Sequence, residues 1–497
     1  MDFLLKFGES VRRWPQKEAF CIGKDVFSYQ DFAASISAIR SILKNETGRN
    51  GQNIVAVIAW DDLYSYAAAF AIWLEGKTFL PLSPRNPATR NNEIVRQTGA
   101  ELVFSAGPVP RSMLSATHVK IVDVKGLKSS KIHIEPVERN PNDLMYVLFT
   151  SGSTGKPKGV QITYANFNAF VKAFLDIGYS FNENDRFLQI YDLTFDASLH
   201  CYIVPLTLGA SVFTVPWNEV KYMYALRLLQ NHELTFAKMP PSTIAFLRPY
   251  FPSIRLEKLR YCLFGGEPLD RDLVAEWRQC VPHAMIQNVY GPTEATVNCL
   301  QYEVPSDPEK IKHFNGIVAI GKPFGKNRAF VAGKNRNAAN PFQKGELCIA
   351  GPQVSPGYWK DEEKNREVFF ELPSGRKKER WYATGDIVLT DKDGDFLFCG
   401  RSDGQVQVQG FRVELGEIEY HTRTYLRAQA VALAKENYLG TQQIHLFVEK
   451  CADPVALREF LSRKLPDYMV PSEIISVEQF PLSVSGKIDR KKLYEMI

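Results

Sequence analysis

Residues 149–160 read FTSGSTGKPKGV. An apolar strand-like run, Leu144 to Phe149, leads into Thr150, Ser151, Gly152, Ser153, Thr154 and Gly155, with Lys156 and Lys158 close behind. Glycines let backbone N–H groups approach an anion closely, hydroxyls add donors, and lysine adds positive charge. Those parts suit a polyphosphate. The segment is not a Walker A loop, because Lys156 is followed by Pro157 rather than Ser or Thr. A solvated Gly/Ser turn is the bland alternative; the density of donors directly after an apolar strand favours the anion site.

The elements that must position this loop are those of an α/β protein. Tyr29 to Leu43 carries apolar residues at helical spacing, Asn53 to Trp60 is a β-rich run, Leu63 to Leu74 reads as a buried helix, and Thr78 to Leu82 as a further strand. Ala210 to Val215, Leu234 to Met239 and Tyr261 to Phe264 continue the pattern. Such βαβα alternation predicts parallel sheets covered by helices. From Asn340 onward short strands and frequent glycine turns replace it, and a boundary near Gly400 is expected. Hydrophobic residues make up 45% and charged residues 23% of the 497, which excludes a mainly disordered chain. Net charge is +5, from 60 basic and 55 acidic residues, without a basic stripe interleaved with aromatics, so no nucleic-acid partner is expected. No apolar stretch approaches the roughly 20 residues of a membrane span, and the N-terminus does not read as a signal peptide. No two of the eight cysteines lie within four residues of each other. That spacing excludes zinc-knuckle and CxxC patterns and suggests reduced thiols in a cytoplasmic setting.

The loop does not stand alone. Residues 288–297 read NVYGPTEATV, 345–359 GELCIAGPQVSPGYW, 382–388 YATGDIV, 400–419 GRSDGQVQVQGFRVELGEIE and 481–493 PLSVSGKIDRKKL. Together, and in this order, these segments resemble the motifs of the adenylate-forming superfamily, and most closely the adenylation domains of nonribosomal peptide synthesis and the D-alanine:D-alanyl carrier protein ligases. The resemblance implies a large N-terminal domain (1–400) of helix-covered β-sheets plus a distorted barrel-like subdomain. A small mobile α+β C-terminal domain (401–497) follows, swinging on a hinge at Asp403. It also implies ATP and Mg²⁺. Thr150, Ser151, Gly152, Ser153, Thr154, Gly155 and Lys158 would hold phosphates. Gly265, Gly266, Asn288 and Tyr290 would surround the adenine, Gly291 and Thr293 would also bind the nucleotide, Asp386 and Arg401 would take the ribose, and Glu294 the metal. Lys487 would be the catalytic lysine.

Asp196, in FDAS, resembles the acid that pairs with a substrate α-ammonium in the amino-acid-activating branch. The side-chain pocket is then expected from Ala197, His200, Lys238, Leu263, Gly265, Val289, Val297 and Asn298. Lys238 lies in an otherwise apolar run, LTFAKMPP, and burying a lysine unpaired costs several kcal/mol. It either meets a carboxylate or amide of the substrate, or it snorkels outward or pairs with a protein acid; His200 and Asn298 lean toward a polar side chain. The D-alanine ligases commonly carry Cys where Gly265 stands and a small residue where Lys238 stands; removing the side chain at 265 is expected to enlarge the pocket. Gln407 and Gln409 stand where many relatives carry a basic residue, which bears on the thiol-transfer step. No carrier segment follows Lys487, so a separate carrier protein in trans is the expected acceptor and free coenzyme A the second. An acyl- or aryl-CoA synthetase is the competing reading.

Overall fold

A computed structural model describes residues 2–47, 53–114, 119–151, 156–333, 336–374, 377–402, 405–481 and 488–497. Two large sheets dominate. A seven-stranded sheet runs in the order Gly357–Tyr358, Lys158–Thr163, Leu144–Thr150, Thr78–Leu82, Ile54–Ile58, Leu102–Ser105, Lys120–Asp123. Its centre is parallel, and Leu144–Thr150 pairs antiparallel with Lys158–Thr163, the two strands that flank the Ser/Gly/Lys segment in sequence. A nine-stranded sheet is built around Met285–Tyr290, Tyr261–Phe264, Phe236–Met239 and Arg186–Gln189, with neighbouring strands parallel.

One continuous core joins the two sheets. The helices Leu63–Leu74 and Asp196–Leu208 lie within it, both buried on nearly every side. Leu63–Leu74 is apolar all round, as a helix enclosed by protein must be; the Asp62 carboxylate caps its start through the N–H groups of Tyr64 and Ser65. The Trp73 indole N–H donates to Met145 O at 3.0 Å, and its ring stacks on Tyr202. The sequence limits of Leu63–Leu74, Thr78–Leu82 and Tyr261–Phe264 are those observed.

The glycine-rich stretch after Asn340 belongs to a five-stranded antiparallel sheet: Arg328–Ala332, Gly345–Ala350, Lys377–Thr390 and Phe369–Ser374 in order, with Phe396–Arg401 on Lys377–Thr390. It lies in the part of the chain where the barrel-like unit is expected, and its described strands form an open path. The C-terminal segment holds a two-stranded hairpin, Gln405–Val408 with Phe411–Glu414, and a three-stranded sheet, Ala430–Glu436, Gln442–Glu449 and Glu473–Val477, packed on the helices Leu415–Leu426 and Pro454–Ser462. None of the described helices is long and apolar enough to cross a membrane.

Candidate functional site

The C-terminal ends of the parallel strands in the nine-stranded sheet carry or lead into several of the site residues: Lys238, Gly265, Asn288 and Tyr290. Strand ends of an open α/β sheet are where backbone and side chains converge on a ligand. Gly152, Ser153, Thr154 and Gly155, together with Asp403 and Lys487, lie outside the described residues. Ser151 is buried, and the buried Thr150 hydroxyl finds no partner among the described residues. Met285–Tyr290 delivers Asn288 and Tyr290. The Asn288 amide NH₂ donates to Ala319 O at 3.0 Å and Val318 O at 3.4 Å, which fixes the amide with its carbonyl end as the group left to read a ligand. The Tyr290 hydroxyl donates to Asp386, and Arg401 pairs with the other Asp386 oxygen. Burial raises the Asp386 carboxyl above the ordinary aspartate range, while Arg401 and the Tyr290 hydroxyl oppose that rise. Gly265 and Gly266 follow Tyr261–Phe264, and Gly266 has φ +84.

Glu294 is fully buried. Burial alone would raise its carboxyl, but Arg412 and Lys158 overcome that and hold it down at about 2. The Tyr358 hydroxyl donates to Glu294 Oε1 at 2.6 Å, and Arg412 Nη1 reaches both carboxylate oxygens at 2.9 and 3.1 Å. Magnesium on nucleotide phosphates takes one or two protein carboxylates. An ionised Glu294 fits that need, and no cluster of three or more acidic, His or Cys ligands competes for a metal among the described residues.

The second half of the site surrounds Asp196, the first residue of its helix. Phe195 offers no side-chain cap there, and Asp196 Oδ2 accepts the Val297 N–H at 3.2 Å. Burial raises its carboxyl, with Lys238 opposing. Lys238 is 2% exposed, so it does not snorkel outward. Its Nζ donates to Asn298 Oδ1 at 3.1 Å, and burial lowers the ammonium to about 8. His200 is buried next to Asn298, kept neutral by burial and by Lys238, and its Nε2 lacks a partner among the described residues. Leu263 sits level with Lys238 on the neighbouring strand. Ala197, Val289 and Val297 complete the set; Val289 and Val297 are buried, and Ala197 is half-buried. The expectation that Gly265 enlarges the pocket is corrected: a Cβ at 265 would meet Val289 O at 2.6 Å, so this glycine marks a close backbone approach rather than open space. Gly291 is constrained similarly, with Val297 O and Asn298 Cα at 2.6 Å.

Three residues escaped sequence reasoning. Thr296 and Val297 have φ of 55 and 68, and a β-branched residue in that region is strained. Gln353 clamps them: its NH₂ donates to Ala295 O, Thr296 O and Asn298 O at 3.2, 3.1 and 2.7 Å. Tyr358 and Arg412 hold Glu294 as described above. Gln353 and Tyr358 lie in the 345–359 motif, yet nothing in the letters says which buried atoms they reach.

The hairpin 405–414 closes the site from the C-terminal side. Ser151 Oγ donates to Arg412 O at 2.9 Å and accepts the Glu414 N–H at 3.1 Å; Lys158 Nζ pairs with Glu414 at 3.2 Å. The Phe411 ring packs edge-on against Phe195 and stacks on Tyr468. Two cavities of about 310 and 270 Å³ flank this contact and share Arg85, Asp192, Phe195, Gln409 and Phe411.

A helix-filled pair of sheets, with Lys158 and Arg412 acting on a buried Glu294 and with Asp196 near Lys238, has the architecture of an adenylation domain. The model of the AMP-binding enzyme family matches residues 7–359, and the chain belongs to that family. It is 31% identical over 496 residues to a component of the linear gramicidin synthase of Brevibacillus parabrevis, covering 98% of this chain and 9% of that protein. It is 28% identical to zwittermicin A synthase ZmaJ of Bacillus cereus, covering 98% of this chain and 93% of that one. The chain thus spans under a tenth of the first relative and nearly all of the second. Among solved structures, holo-PA1221, an NRPS protein containing adenylation and PCP domains bound to a vinylsulfonamide inhibitor, superposes with a TM-score of 0.87 at 26% identity, over 100% of this chain and 84% of that one.

Proposed function

We propose that the chain activates an amino acid with ATP as an aminoacyl-adenylate, releasing pyrophosphate, and then passes the acyl group to the phosphopantetheine thiol of a separate carrier protein. The observation that carries this reading is that Asp196 and the buried Lys238 lie near enough for each to shift the other's ionisation. An anion there suits an α-ammonium, and a buried cation bonded only to a neutral amide among the described residues suits a carboxylate or amide on the side chain. A polar or acidic amino acid is therefore favoured.

In this reading Thr150 to Gly155 and Lys158 hold the phosphates, and Asn288, Tyr290, Gly265 and Gly266 frame the adenine. Asp386 and Arg401 take the ribose hydroxyls. Glu294 would hold Mg²⁺, which when bound neutralises phosphate charge. Lys487 bridges the substrate carboxylate and the α-phosphate, stabilising charge that develops as the carboxylate oxygen attacks phosphorus and pyrophosphate leaves. The thiol then attacks the acyl carbon and AMP departs. The chain divides at about residue 400, with residues 401–497 pivoting near Asp403. The protein works in the cytoplasm. The larger cavity beside Gln409 and Phe411 includes Asn86, Gln442, Gln443 and Ser472 in its lining, whose polar groups suit the amides of a pantetheine arm. The adenylation and PCP domains of holo-PA1221 support a carrier as acceptor.

A D-alanine ligase role is disfavoured by the buried Lys238 and by the crowding at Gly265. An acyl- or aryl-CoA synthetase would leave Asp196 without an ammonium partner. The test is amino-acid-dependent pyrophosphate release with Asp196→Ala and Lys487→Ala. Both should lower it by orders of magnitude while the fold is kept. Undiminished release in Lys487→Ala overturns the catalytic assignment, and unchanged use of the same substrate by Asp196→Ala overturns the ammonium assignment.

A further inference from the structure

Lys238 fixes the hydrogen-bond polarity of its neighbours. An ammonium only donates, so Asn298 turns its Oδ1 to Lys238 Nζ at 3.1 Å and its NH₂ to His200 Nδ1 at 3.4 Å. His200 is neutral, so the ring nitrogen that accepts is bare and the proton sits on Nε2. That N–H has no partner among the described residues, and the ring is packed against Phe174 and Phe236. The groups left over are one-sided. Asn298 takes one of the N–H groups of Lys238, while the Asn298 oxygen and His200 Nδ1 are both already engaged as acceptors. The Tyr191 ring lies 5.9 Å from Nζ, and its enclosed hydroxyl, also without a partner among the described residues, can donate. No carboxylate forms an ion pair with Lys238 among the described residues; burial outweighs the pull of Cys201 and Asp196 and leaves the ammonium at about 8. A ligand group that meets this wall has to accept hydrogen bonds rather than donate them. A carboxylate accepts with both oxygens and supplies the missing charge. A carboxamide accepts with one atom only, and its NH₂ is left facing donors, the kind of mismatch by which a buried polar site rejects an isostere.

We propose that the amino acid activated by this chain carries a side-chain carboxylate, and that the pocket refuses the matching carboxamide. This rests on the aminoacyl-adenylate reading and narrows it from polar side chains to acidic ones. Lys238 is the specificity-determining residue. Asn298, its amide held in one orientation by His200, is a positioning residue: it holds the ammonium by a single neutral bond and takes up the acceptor that a carboxamide NH₂ would need. Asp196 remains free for the α-ammonium, with its Oδ2 on the Val297 N–H.

The test compares aspartate with asparagine and glutamate with glutamine, both enantiomers of each, in ATP-dependent pyrophosphate release by the full chain. The better acid should exceed its amide in kcat/KM on the order of a hundredfold, mainly through KM. Asn298→Asp keeps the shape of the side chain and gives Lys238 a carboxylate from the protein. The acid should then lose on the order of a hundredfold in kcat/KM, with little change in the KM for ATP, and its advantage over the amide should vanish. An amide used as well as its acid overturns the proposal, as does a preference for the acid that survives in the folded Asn298→Asp variant; the wild-type ratio decides alone where the variant does not fold. A response confined to amino acids without a side-chain carboxylate also overturns it and leaves the aminoacyl-adenylate reading in place. No response to any amino acid overturns that reading, and the side-chain assignment with it.

Discussion

Replacing Lys238 with methionine separates the functional from the structural value of this side chain. The lysine is 2% exposed, and its ammonium is held at about 8 against 10.5 for a free lysine. At about 1.4 kcal/mol per tenfold change in proton affinity, that difference corresponds to a penalty of about 3 kcal/mol for keeping the charged form buried. The sign follows from linkage. Below pH 8 both folded and unfolded chains carry the proton and the full penalty applies; between pH 8 and 10.5 the unfolded chain binds more protons, so stability rises with pH. Methionine of similar length removes the penalty but strands Asn298 Oδ1, which costs about 1–3 kcal/mol. Near pH 7 the variant should therefore be as stable as wild type or up to about 2 kcal/mol more stable. The wild type should gain on the variant by up to about 3 kcal/mol as pH rises from about 7 to about 10. Urea midpoints of both proteins across that range measure this directly. The same variant should lose response to anionic or amide side chains. A wild-type stability that falls relative to Lys238→Met between about pH 8 and 10 refutes the reasoning, because it would mean the ammonium is stabilised by a protein acid rather than exposed to a penalty awaiting its ligand.

Gln353→Ala removes three donated hydrogen bonds from the strained 295–298 turn and should cost about 3 kcal/mol. Its KM for the amino acid should rise while that for ATP changes little, measured by pyrophosphate release. Tyr290→Phe removes a hydroxyl that helps keep Asp386 ionised, so the Asp386 carboxyl should rise further. The acid limb of the pH–activity profile should then move to higher pH, and AMP affinity should fall several-fold at about pH 6.

Much of the architecture is legible because hydrophobic periodicity and length set each element. Leu63–Leu74 is apolar on all faces and ends at Gly76, and the structure encloses it within one core spanning both sheets. Asp196 and Lys238 are far apart in the chain but stand out as charged residues in apolar settings, and the fold brings them close enough to influence each other's ionisation. What the letters hide is partnership at long range. Whether Lys238 turns in or out depends on the neighbouring strand and on Asn298, and Gly265 reads as spare room until the Val289 carbonyl is seen beside it. Arg412 looks like one basic residue in a hairpin among many, and only its docking against Glu294, 118 positions away in the chain, gives it a role.

The central claim is that Asp196 and Lys238 define a polar amino-acid substrate. Pyrophosphate release with ATP, Mg²⁺ and hydroxylamine, driven by a panel of both enantiomers of the amino acids together with fatty and aryl acids, tests it most directly. A response to aspartate, asparagine, glutamate or a similar polar amino acid is expected. A response only to acids that lack an α-amine would contradict it.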